Sequence, residues 1–61
     1  MNAEDRPGYE TYQEILKWLA VAQVEGKKFY EKGNVSAGTR ARRAMDRLAK
    51  LKVQWRKEMR A

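Results

Sequence analysis

The chain has 61 residues, fourteen cationic and eight acidic, for a net charge of +6, and it contains neither cysteine nor histidine. A lone chain of this size buries only roughly 60% of its unfolded surface, and this composition excludes a disulfide staple and leaves a structural zinc site without its usual ligands. Oligomerisation or close helix packing is what remains to supplement the core.

The chain opens on "MNAEDRPGYE", polar and acidic where a signal peptide would carry a basic patch and an apolar run. The longest apolar run, Trp18 to Ala22, falls far short of the ~20 residues that span a bilayer. The expectation is a soluble cytoplasmic protein with no membrane partner. Arg6-Pro7-Gly8 breaks any earlier structure, so residues 1–8 read as a flexible N-terminal segment.

Residues 9–32 contain no proline and a single glycine, and they read as one helix. Tyr12, Ile15, Leu19, Ala22, Gly26 and Phe29 recur at alternating steps of three and four, which makes a continuous apolar face. Lys32-Gly33-Asn34 is a stop signal, with a cation at the last turn and a glycine able to take positive φ. The turn is expected at 33–35 and a second helix over 36–60, with Ser36 as its N-cap. Ala37, Ala41, Ala44, Leu48, Leu51 and Trp55 carry the same spacing along this helix. Two helices of similar length joined by so short a turn run antiparallel. The expected fold is therefore all-α, a helical hairpin over residues 9–61.

Folding the chain about Val35 sets Phe29 near Ala41, Gly26 near Ala44, Leu19 near Leu51 and Ile15 near Trp55. Gly26 and Ala44 would then let the helices approach closely near the turn. On the first helix, Leu16, Trp18 and the tyrosines widen the apolar arc to roughly 200°, twice what one partner covers. The excess argues for a homodimer in which two hairpins form a four-helix bundle. Tyr12, Ile15, Leu16, Leu19, Ala22, Gly26, Phe29, Ala44, Leu48, Leu51 and Trp55 are the expected core and dimer residues.

Charge is unevenly spread. Residues 1–34 hold five cations and six acids, whereas residues 35–61 hold nine cations and two acids. Such asymmetry is the footprint of a polyanion-binding element on a near-neutral scaffold. A helix start carries partial positive charge and ordinarily attracts Asp or Glu, yet Arg40, Arg42 and Arg43 all precede the first carboxylate, Asp46. Arg40, Arg43, Arg47, Lys50 and Lys57 fall on one stripe. With Ser36 as cap, Ala37, Gly38 and Thr39 would offer free backbone N–H groups. Gly38 would admit a large anion, Thr39 would add a hydroxyl, and the arginines would add charged forks: a phosphate site in outline. The expected DNA-binding set is Ser36, Gly38, Thr39, Arg40, Arg42, Arg43, Arg47 and Lys50.

"FYEKGNVSAGTRARRAMDRLAKL", Phe29 to Leu51, resembles the signature of the bacterial linker-histone-like proteins, the group of the chlamydial histone-like protein. A "KGN…AGTRAR" core marks them, matched here at Gly33-Asn34, Ala37-Gly38-Thr39-Arg40 and Arg42-Arg43. The resemblance implies a nucleoid-associated protein that binds and compacts duplex DNA without catalysis. The family's Lys- and Ala-rich tail has no counterpart in these residues, which leaves the arginine-rich helix as the candidate DNA surface.

Catalysis has no support in the residues. There is no His or Cys, Ser36 has no evident base, and the glycines do not form a Walker-type loop. No metal site and no cofactor are expected. RNA is the alternative polyanion, disfavoured because most aromatics fall near the expected core rather than on an exposed platform. A membrane-surface helix would bury little area through an alanine-rich seam. The alternative function is a small helical oligomerisation or adaptor module, which leaves the cations of the second helix without a role.

Overall fold

In a computed structural model describing residues 2–60, the protein is a helical hairpin. The outermost residues of the expected segments 1–8 and 9–61 lie outside that range. A short 3-10 turn over Ala3–Asp5 precedes helix α1, Tyr9–Lys32, and helix α2, Val35–Arg60, packs back against it. The described residues contain no strand. The body measures 45 × 20 × 11 Å, and its radius of gyration of 14.1 Å exceeds the ~10.5 Å of a compact chain of this length. It is a slab one helix thick, so any residue outside the seam meets solvent.

The turn is shorter than the sequence suggests. Gly33 takes the left-handed conformation at φ 65°, a region that favours glycine. Its N–H donates to the Phe29 carbonyl at 3.0 Å, while Asn34 N–H reaches the Lys28 carbonyl at 3.4 Å. Asn34, not Ser36, caps α2, because its Oδ1 accepts from Ala37 N–H at 3.1 Å. Asn34 thereby serves both helices.

Starting α2 earlier shifts the pairing. Phe29 lies over Gly38 rather than Ala41, and Tyr12 stacks on Trp55, where Ile15 was expected, with ring centroids 5.9 Å apart. Both changes move the register by three residues. That is nearly one helical turn, so the same face of α2 still meets α1.

The seam itself is made of small side chains. Ala37 and Ala44 are fully buried and Leu51 nearly so, with Thr11 the buried polar residue. Ile15, Ala22, Gly26, Leu48 and Trp55 are half-buried. Tyr12, Leu16, Leu19 and Phe29 are exposed, and Leu19, at 48%, lies beside the seam instead of opposite Leu51. Gly26 does not mediate close approach either, since a Cβ there would meet nothing within 4 Å. The close contact belongs to Gly38, where a Cβ would stand 2.6 Å from the Phe29 ring.

At the open end the N-terminal segment is pinned across α2. Gly8, at φ 89°, precedes α1, and a Cβ there would lie 2.9 Å from Trp55 Cδ1. Left-handed backbone and close approach together require glycine.

Candidate nucleic-acid interface

Two clefts at the open end show how the hairpin sorts its side chains. One, of about 460 Å³, is lined by Glu4, Arg6, Gly8, Tyr9, Glu10, Thr11, Glu14, Arg47, Gln54 and Glu58. The other, of about 240 Å³, is lined by Arg6, Pro7, Tyr9, Tyr12, Trp55 and Met59. They share Arg6, Gly8 and Tyr9, and helical spacing sets their other walls, Glu14 and Arg47 against Tyr12 and Met59, to either side of the seam, which identifies the two flanks of the slab.

Helical spacing extends each flank along the molecule. Arg40, Arg43 and Lys50 stand seven, four and three residues from Arg47 and share its flank. Leu16 and Leu19 follow Tyr12 by four and seven residues, and Met45 stands two heptads before Met59, so these continue the other. Leu16 is 46% exposed and Met45 56%. One flank thus carries Arg40, Arg43, Arg47 and Lys50 of α2, and the other combines the exposed apolar stripe with Arg42, Lys52, Arg56 and Arg60.

The cations are not equivalent. Arg40 Nε lies 3.1 Å from Glu25 Oε2, and Lys28 Nζ is 3.8 Å from the same carboxylate's Oε1. Glu25 Oε2 accepts no hydrogen bond, so its attraction to Arg40 is coulombic without directional bonding. Arg42, Arg43, Arg47 and Lys50 have no acidic partner within ion-pair distance among the described residues. They keep their full charge for a partner.

The anion cradle expected at the start of α2 is not built from the groups proposed for it. Ala37 N–H is taken by the Asn34 side chain, and Gly38 N–H donates to the Asn34 carbonyl at 3.2 Å. The Thr39 hydroxyl turns back to the Val35 carbonyl at 3.5 Å. Gly38 is small because Phe29 covers it, not because an anion needs the space. Among the described residues, the donors left without a partner in this turn are the N–H groups of Val35 and Ser36.

Sequence reasoning missed a polar latch across the open end. Thr11 Oγ1 donates to Glu58 Oε1 at 2.5 Å, and Gln54 Nε2 donates to Thr11 Oγ1 at 3.2 Å and to Glu58 Oε2 at 3.1 Å. Bonds from Thr11, and secondarily from Gln54, favour the carboxylate and hold Glu58 below its usual value of 4.5. Centring the turn on Gly33-Asn34 would have aligned these residues.

No group of metal-ligating side chains and no helix long and apolar enough to cross a membrane occurs among the described residues. The arrangement defines a class: a basic helical hairpin that presents an arginine and lysine stripe on one flank and an exposed apolar stripe, itself edged by cations, on the other. The model of the family described as histone H1-like protein Hc1 matches residues 9–61, and the chain belongs to this family. It is a family of structural DNA-binding proteins, not of enzymes. No curated protein and no solved structure matches the chain.

Proposed function

We propose that the protein binds duplex DNA largely independently of sequence, through phosphate contacts from Arg43, Arg47 and Lys50, with Arg42 adding charge from the other side of α2, and organises or compacts it in the nucleoid. The observation that carries this reading is that Arg43, Arg47 and Lys50 form a stripe without ion pairs on the flank facing away from the exposed apolar stripe. Two hairpins joined through Leu16, Leu19 and Met45 would complete a four-helix bundle and leave both arginine flanks outside. Ser36 N–H adds a donor at the end of the stripe. Arg40, tied to Glu25, contributes less.

The test is a titration of duplex binding against salt. Each lost phosphate contact lowers the slope of log affinity against log salt by ~0.9. Arg43→Ala and Arg47→Ala should each lower it by about that amount on unrelated sequences alike, since backbone contacts carry no direct sequence information. Arg40→Ala should lower it less. Unchanged affinity and slope in Arg43→Ala and Arg47→Ala would overturn the reading. The exposed apolar flank also favours assembly by itself, the adaptor reading, and a dimer that ignores DNA at low salt is its signature.

A further inference from the structure

The cleft on the apolar flank has a chemistry that duplex contact does not use and that helix packing uses only in part. Three aromatic rings meet there: Tyr12 stacks on Trp55 with 26° between the planes, and Tyr9 lies 6.2 Å from Tyr12 at 45°. Gln13 donates to the Tyr9 hydroxyl at 3.0 Å and holds that ring in place. Arg6 and Met59 close the rim. The cleft on the other flank has four carboxylates in its wall, whereas no carboxylate lines this one. On the same side of α2, Lys52 and Arg56 stand three residues from Trp55 and Met59, and Arg60 one residue beyond Met59. None of the three, nor Arg6, has an acid within ion-pair distance among the described residues.

We propose that this cleft, walled by Tyr9, Tyr12 and Trp55 and rimmed by Arg6, holds an unpaired nucleobase of single-stranded nucleic acid. Aromatic faces take any base by stacking, and flanking cations take the phosphates on either side of it. The charge of the rim selects this occupant. A neutral peptide would leave Arg56 and Arg60 without a counter-charge, while a nucleotide supplies an apolar ring and an anion in one unit. The site goes beyond duplex binding and is separate from it, because Arg43 and Arg47 lie on the opposite flank.

Trp55 reports on the cleft directly. In the full chain carrying Trp18→Phe, Trp55 is the sole tryptophan, and a short oligothymidylate should quench its fluorescence on binding. The same sequence paired in a duplex should bind without comparable quenching. Tyr12→Ala should weaken oligothymidylate binding roughly five-fold or more, and Arg6→Gln, which alters an exposed side chain outside the helices, should weaken it while leaving circular dichroism unchanged. Neither change should alter the duplex salt slope, whereas Arg43→Ala should lower that slope and spare the quench, so the two readings fail separately. Absence of quenching by saturating oligothymidylate would overturn the proposal. So would a quench that Arg6→Gln leaves intact, a blue shift on anionic vesicles equal to the oligonucleotide response, or a sedimentation mass that falls in Arg6→Gln with single-strand affinity unaltered.

Discussion

The two ends of the hairpin are held together by different physics. At the turn, a two-residue link, Gly33-Asn34, brings the helices so near that only Ala37, Gly38 and Ala44 fit between them, with Phe29 lying over Gly38. Closeness there is purely steric. At the open end the gap admits larger groups, and a Tyr12–Trp55 stack and the Thr11–Gln54–Glu58 latch close it. Side-chain size sets the separation, and separation decides whether the seam is sealed by backbone proximity or by rings and hydrogen bonds. The turn end tolerates no added atom at Gly38, while the open end depends on groups that can be removed or titrated.

The sharpest break in this contrast is Gly38→Leu. Its Cβ would stand 2.6 Å from the Phe29 ring, so the substitution should cost about 3 kcal/mol through overpacking. That is much of the stability of a chain this small. Thermal unfolding measured before any binding assay checks it, and an unaltered melting temperature would mean that Phe29 swings clear at no cost.

Gly8→Ala should cost about 1–2 kcal/mol for the left-handed backbone, with a further loss from displacing Trp55. Gly33→Ala carries the same backbone penalty but meets nothing within 4 Å. Denaturant midpoints should therefore rank Gly8→Ala below Gly33→Ala. Equal midpoints would show that the Trp55 contact is inconsequential.

Gly26→Ala runs the other way. A Cβ there occupies open space in the middle of α1, so the change should stabilise the hairpin by about 0.5–1 kcal/mol through helix propensity. A lowered melting temperature would restore the close approach at Gly26 that the sequence suggested.

The smallest effect is that of pH on the open end. Glu58 titrates below 4.5 in the folded protein because Thr11 and Gln54 donate to its carboxylate. A depressed carboxylate contributes stability that is present above its unfolded value and lost as pH falls through its folded one. Wild type and Glu58→Gln should differ most near neutral pH and converge as the pH falls below the ordinary 4.5 and through the lower folded value. A stability difference that stays constant across that range would remove Glu58 from the latch.

By itself the sequence determined the class of fold and the family. Heptad-like spacing, the absence of internal proline and the Gly33-Asn34 stop are local features that read as two packed helices without reference to any partner surface. The lopsided charge and the "KGNVSAGTRARR" run are equally local, and they point to the histone-like family that matches residues 9–61. Register was beyond it. A two-residue link or a three-residue one satisfies the same periodicity, and the choice turns on Asn34, whose side chain caps α2 while its backbone closes α1. That choice moved Gly38 beneath Phe29, paired Tyr12 with Trp55 and joined Thr11 to Glu58. The pairing of Arg40 was equally undecided, because Glu25 is fifteen residues away in sequence and meets it only across the seam. Only the tertiary structure decided that the spare apolar stripe of α1 and the Arg43, Arg47 and Lys50 stripe of α2 fall on opposite flanks. Helical periodicity reports angles around each axis separately, and the relation between two axes is set by how the seam packs.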